Sequence, residues 1–194
     1  TNTCLRNSAQ EYVNTTQNIT LARPNGVATL DITSGAVTND TIIKIEQNAN
    51  ITPNLEIGTR AGTKVKAVTA YTFEPVGMQF SQPVTVTLYW NDSNNDGKED
   101  TTLLLESKFD IYWYNPSTKL WEAQNAICDL TNNYCTKQIT HFSDYTLGEG
   151  PLGPQEQGAI PEVSSSKNVK FKDAQIITIL TIIVIVAILM IKKK

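Results

Sequence analysis

Eighteen residues near the C-terminus, "AQIITILTIIVIVAILMI" from Ala174 to Ile191, carry only Gln175, Thr178 and Thr181 as polar interruptions. A run of this kind is either a buried core helix or a membrane span. A core helix in a globular domain keeps a polar face, and this stretch has none, so a span is expected. As a helix it extends about 27 Å, slightly short of the roughly 30 Å hydrocarbon layer, and flanking lysines can snorkel across the difference. Isoleucine and valine dominate, but a lone strand would leave its main-chain groups unpaired in lipid. Contact with membrane lipid is therefore expected through residues 174–191.

Lys192, Lys193 and Lys194 follow the run, whereas Lys167, Lys170 and Lys172 precede it, partly offset by Asp173. The balance leans toward a cytoplasmic tail at 192–194 and an outside location for the bulk of the chain. Residues 148–173, "GEGPLGPQEQGAIPEVSSSKNVKFKD", lack apolar periodicity and read as a flexible stalk. Residues 1–160 hold ten Lys and Arg against seventeen Asp and Glu, an excess of seven negative charges. Such a domain repels phosphates, which argues against nucleic acid as a partner.

Upstream of the stalk the pattern is that of strands. "PVTVTLYW" places Val84, Val86, Leu88 and Trp90 on one face and Thr85, Thr87 and Tyr89 on the other. "FDIYWYN" repeats the logic, with Phe109, Ile111 and Trp113 opposite Asp110, Tyr112 and Tyr114. The turn Asn115-Pro116-Ser117-Thr118 leads into "KLWEAQ", a predicted hairpin. "GVATLDIT" and "TIIKIEQ" supply earlier strands. Short alternating runs bounded by turn residues predict an all-β fold, an antiparallel β-sandwich, followed by the stalk and a single C-terminal transmembrane helix.

Cys128 and Cys135 close the polar turn "CDLTNNYC", where paired strands would bring them within disulfide reach. An oxidising, extracellular setting favours the bridge, and a reducing cytosol would leave two free thiols. No further ligands lie nearby for zinc. Cys4 has no evident partner. Asn-x-Ser/Thr sequons begin at Asn14, Asn18, Asn39, Asn50 and Asn91 and lean toward an exported, glycosylated surface. A start without Met or signal peptide fits a processed chain, or a piece of a longer one with Cys4 bonded to the absent part.

Four segments carry a family resemblance: "NGVATLDITSGAVTNDTIIKIEQ", "AVTAYTFEPVGMQFSQPVTVTLYW", "FDIYWYNPSTKLWEA" and "ITHFSDYTL". Together they resemble a ZU-type domain, the β-sandwich of ankyrins, netrin receptors and zonula occludens protein, with relatives on prokaryotic surface proteins. The most specific pieces are "FEPVGMQFSQPV" and the terminal His-Phe-Ser, while "SGAV" stands where the family has a Pro-Gly-Ala turn. The resemblance sets the domain at 25–147 and leaves 1–24 as an N-terminal extension or the end of an upstream region. It also implies a chemistry, because some eukaryotic members cleave themselves by an N-to-O acyl shift. Carried over, Ser143 is the nucleophile, His141 the general base, and the Phe142 carbonyl the group attacked. The apolar positions Ile139, Phe142, Tyr145 and Leu147 break strict alternation, which predicts a bulge near the motif. A bulge serves equally to strain a scissile bond or to end a sheet.

One loop suggests a cofactor. "NDSNNDGKED" sets Asp92, Asn94, Asp96 and Asp100 at the spacing of calcium loops, with Gly97 for the turn and the Lys98 carbonyl to complete the ring. Leu103 occupies the position of an EF-hand's bidentate Glu, so the expectation is a hairpin loop holding Ca2+ modestly, or else a solvated turn. With one histidine, no nucleophile elbow and no Gly-rich phosphate loop, turnover of an external substrate is not expected. The sequence points instead to a membrane-anchored structural or adhesive module at a cell surface, suited to a prokaryotic envelope and to a protein partner there. Self-processing between Phe142 and Ser143 is the alternative.

Overall fold

The computed structural model describes residues 8–23 and 26–150. Twelve strands follow in order: β1 (Ser8–Val13), β2 (Ile19–Ala22), β3 (Ala28–Ile32), β4 (Thr41–Gln47), β5 (Glu56–Gly58), β6 (Lys64–Glu74), β7 (Gln79–Tyr89), β8 (Phe109–Asn115), β9 (Leu120–Ala123), β10 (Ile127–Asp129), β11 (Tyr134–His141) and β12 (Asp144–Glu149). One 3-10 turn, Glu106–Lys108, precedes β8. A seven-stranded sheet runs β1-β4-β6-β12-β8-β9, with β5 paired to β6, and a five-stranded sheet runs β10-β11-β7-β3-β2. All the strand pairs are antiparallel. The expected all-β architecture is what forms.

Alternation decides which side chains meet between the sheets. In β7, Val84, Val86 and Leu88 are buried with Trp90 just beyond, and β3 and β4 add Leu30, Ile32, Ile43 and Ile45. From the seven-stranded sheet come Tyr71, Phe73, Ile111, Tyr145 and Leu147. Pro83 precedes the stretch where β3 pairs with β7 through Thr85–Leu88, so its missing N–H costs no bond to β3. In β8, Ile111 joins this core while its neighbour Tyr112 turns to the opposite face and packs with Ile57, Val65 and Trp121. Both faces of β8 are thus covered, which its alternating pattern alone does not reveal.

The domain is longer at both ends than 25–147. β1 pairs with β4 over six positions and β2 with β3 over four, and both Val13 and Leu21 enter the core. These strands escape pattern reading because each is short and contributes one buried side chain, Val13 or Leu21, with exposed or half-buried residues around it. At the other end β12 continues through Gly148 and Glu149, where the composition reads as stalk. Gly148 is a packing residue here: a Cβ would sit 2.8 Å from Val65 Cγ1 and 2.9 Å from the Lys66 carbonyl oxygen. The strand therefore needs glycine for close approach, not for a turn.

Among the described residues no helix is long and apolar enough to cross a membrane. The expected span at 174–191, the tail at 192–194, most of the stalk and Cys4 lie outside the described residues.

The hairpin at Asn115 forms as expected. Asn115 pairs with Leu120, Lys119 adopts φ 56°, and the Asn115 side chain accepts the Ser117 N–H at 2.9 Å. Cys128 and Cys135 are directly opposed in β10 and β11, with Cα atoms 4.0 Å apart, and a disulfide joins them. It closes the edge hairpin of the five-stranded sheet and is expected to stabilise by about 2–3 kcal/mol.

The chain passes from the five-stranded to the seven-stranded sheet at Phe142, which is fully buried. Its ring meets Phe80 edge-on at 4.7 Å and stacks near Phe73 at 5.8 Å between centroids. Phe142→Ala is expected to cost about 3–5 kcal/mol, because the cavity lies between two sheets that cannot close on it independently. Urea unfolding followed by tryptophan fluorescence measures it, and a loss below about 1 kcal/mol would mean that the corner is not tightly packed.

Candidate functional site

Two segments carry side-chain chemistry, the acidic loop after β7 and the corner between β11 and β12. In the loop, Asp92 is buried and folds the chain around its carboxylate. Its Oδ1 accepts the Asp96 N–H at 3.2 Å and its Oδ2 the Gly97 N–H at 3.1 Å. Gly97 has φ 79°, a conformation open to glycine, so the loop can turn there. The Asn94 side-chain Oδ1 also accepts the Asp96 N–H, and Asp96 Oδ1 accepts the Lys98 N–H at 3.0 Å. Lys98 forms an antiparallel bridge with Leu105, held by Glu99 N–H to Leu104 O and Glu106 N–H to Gly97 O. The chain therefore doubles back before β8.

The five residues expected to bind calcium divide into two groups. Asp92, Asn94, Asp96 and the Lys98 main chain share one side of the turn. Asp100 does not join them: its Oδ2 accepts from Asn91 Nδ2 at 2.7 Å and from the Ser93 N–H at 3.1 Å, clipping the base of the loop. Asp100 Oδ2 is thus engaged at the base of the loop, away from the turn that Asp92 holds. The neighbouring Glu99 is likewise engaged, accepting from Thr101 N–H, Thr102 N–H and the Thr102 hydroxyl through Oε2. Leu103, at φ 59°, is exposed at the tip of the turn.

Glu106 is the residue that spacing did not find. It lies in the 3-10 turn before β8, is 2% exposed, and its Oε1 has no hydrogen-bond partner among the described residues. Burial pushes its carboxyl above the usual range; the Trp90 indole beside it acts in the opposite sense, and the Asp92 and Asp96 carboxylates add to the rise. The Glu106 N–H bond to Gly97 O at 3.1 Å sets its main chain beside the residue whose N–H Asp92 Oδ2 accepts. The available signal was an acidic residue at the head of a strand after the apolar "LLL", which a fixed twelve-residue template passes over. Among the described residues no group of three or more His, Cys, Asp or Glu side chains is already gathered in metal-binding geometry.

At the corner, the expected bulge is present as a register shift between Ile139 and His141 in the pairing of β11 with β7. The Phe142 N–H donates to Met78 O, and the Phe142 carbonyl accepts the Gly77 N–H, each at 2.9 Å. The Ser143 carbonyl accepts the Phe73 N–H at 3.0 Å. One dipeptide is therefore bonded to both ends of the β6–β7 connection. The Ser143 hydroxyl donates to Tyr114 O at 3.1 Å. His141 packs edge-on against Trp113 at 4.8 Å, its Nε2 is buried without a partner among the described residues, and its main-chain carbonyl accepts the Tyr145 hydroxyl at 2.9 Å. No hydrogen bond joins the His141 ring to the Ser143 hydroxyl, so the three residues are neighbours in sequence but not a proton-transfer chain.

Of the five sequon asparagines, Asn18, Asn39, Asn50 and Asn91 are exposed and Asn14 is half-buried. The Asn91 amide is occupied by Asp100, so a glycan there would compete with the loop's clip.

No known family model matches the chain, and no curated protein does.

Burial pushes the His141 imidazole below its ordinary value of 6.5. Above that value the ring is neutral in folded and unfolded chains alike and contributes nothing to pH dependence. As pH falls through it, the unfolded chain takes up the proton first, so stability is lost on acidification. His141→Gln removes this contribution. The variant's urea midpoint relative to wild type is therefore expected to rise between about pH 7.5 and about pH 5, and an unchanged difference contradicts the burial account.

Proposed function

We propose that the chain is a membrane-anchored structural or adhesive module that displays an acidic β-sandwich outside a cell. Residues beyond β12, 150–173, serve as the stalk and 174–191 as the lipid-spanning helix, with a protein partner at the envelope surface. The observation that carries this reading is where the chain leaves the domain. The last strand among the described residues, β12, lies between β6 and β8, paired on both sides. Antiparallel ladder bonds run across the strand, so tension from an anchor along β12 loads both ladders together in shear. An edge strand would load only one ladder. The Cys128–Cys135 bridge, suited to an oxidising compartment, supports the same placement.

Membership in the ZU-type family belongs to this proposal. Its support is that the two most specific pieces of the resemblance meet: Gly77 and Met78 of "FEPVGMQFSQPV" are bonded to Phe142 of His-Phe-Ser. A self-processing protein is the second reading, favoured by the bulge and by the unpartnered His141 Nε2. Against it, the Ser143 hydroxyl is directed to Tyr114 O. We therefore take His-Phe-Ser as a structural corner.

Two measurements test these statements. In detergent phase partitioning the full chain is expected in the detergent-rich phase and a chain ending at residue 173 in the aqueous phase; a full chain that stays aqueous contradicts the anchor. Denaturing intact-mass measurement is expected to give one full-length species, whereas two fragments that disappear in Ser143→Ala would establish cleavage.

A further inference from the structure

We propose that Asp92, Asn94, Asp96, the Lys98 carbonyl and Glu106 form a Ca2+ site that joins the end of β7 to the start of β8, with Glu106 in place of Asp100.

The loop alone does not carry this, since Asn/Asp/Gly turns form for conformational reasons. Glu106 is the independent observation. A carboxylate 2% exposed with an unpartnered oxygen is costly, and the Glu106 N–H bond to Gly97 O at 3.1 Å sets it beside the residue whose own N–H Asp92 accepts. None of the ion pairs among the described residues involves Asp92, Asp96 or Glu106. Three acidic side chains of the loop and its return therefore have no ion-pair partner among the described residues. A bound divalent cation supplies the missing charge.

The choice of calcium follows from the donors. All five are oxygens, three from carboxylates, one from an amide and one from the main chain, and Glu106 can bind through both of its oxygens. Calcium accepts six to eight oxygen ligands in adaptable geometry, whereas Mg2+ demands a near-octahedral set and keeps its waters. Lys98 suits the main-chain role because its bridge with Leu105 uses the Gly97 carbonyl and Glu99 N–H, leaving its own carbonyl free of those bonds. Carboxylates gathered only loosely before binding suit a site that the ion itself draws together.

The position gives the ion a mechanical role. Asp92 follows a strand of the five-stranded sheet, and Glu106 precedes a strand of the seven-stranded sheet. One ion would therefore clamp the two sheets together. The clamp lies where the chain leaves the domain, since Phe109 pairs with Glu149 and the Lys108 ammonium approaches Glu149 at 3.4 Å.

Trp90 beside Glu106 provides a reporter. The metal-stripped full chain in mild detergent is titrated with Tb3+ under tryptophan excitation, the emission is competed with CaCl2 or MgCl2, and Ca2+ binding is measured directly by calorimetry. The expected result is sensitised emission that Ca2+ displaces at concentrations where Mg2+ does not, and that Trp90→Phe abolishes without loss of calorimetric Ca2+ binding. Glu106→Gln, nearly isosteric, is expected to weaken Ca2+ at least about tenfold, and Asp100→Asn to change it less than about threefold. Circular dichroism of each variant checks that the sandwich is intact. Absence of Ca2+ binding to the wild type overturns the site. Equal binding by a folded Glu106→Gln overturns the ligand set, and a loss at Asp100→Asn matching that at Glu106→Gln restores the set expected from spacing.

Discussion

Phe142 must be in two places at once. Its main chain belongs to the turn that links β6 and β7, through Met78 and Gly77, while its side chain fills the space between the sheets against Phe73 and Phe80. A strand that changes sheets needs a residue that breaks alternation without leaving its polar groups unpaired. The bulge before His141 supplies the break, and the bonds to Gly77, Met78 and Phe73 satisfy the main chain. The path of β12 between β6 and β8 follows from this corner. Phe73 and Tyr145, edge-on at 5.7 Å, extend the aromatic packing into the partner strands.

The opposite crossing, from β7 to β8, is built from different physics. Apolar side chains are scarce between Asn91 and Thr102, and the segment is held by carboxylates that accept main-chain N–H groups. Such a loop is well specified where donors surround each carboxylate, as at Asp92, Glu99 and Asp100. It is under-satisfied at Glu106, where an oxygen is buried without a donor. The contrast separates acidic residues that shape the loop from one with a buried oxygen that no donor among the described residues reaches.

Strong alternation made the central strands legible: "TIIKIEQ" coincides with β4, and the Val84, Val86, Leu88 face lies in the core as its period requires. The cysteine hairpin was legible because its spacing leaves little choice of geometry. β1 and β2 were not, since a strand that buries one side chain leaves almost no periodic signal, and its place is decided by partners distant in sequence. Gly148 misled for a related reason: glycine marks turns, but it also marks close approach, and only the position of Val65 distinguishes them. At the acidic loop the spacing located the turn but not the hydrogen bonds that each carboxylate makes. Asp100 satisfies the template, yet its hydrogen bonds to Asn91 and Ser93 were invisible in one dimension.

If the Phe142 corner holds the two sheets as one cooperative unit, the amides that meet there cannot open separately. Native-state hydrogen exchange across a series of low denaturant concentrations reads this directly at Phe73, Gly77 and Phe142. The account predicts that all three exchange only through global unfolding, with one shared opening free energy and the full denaturant dependence of the domain. Exchange of Phe142 or Gly77 through a small, denaturant-independent opening several kcal/mol below the global value would contradict it.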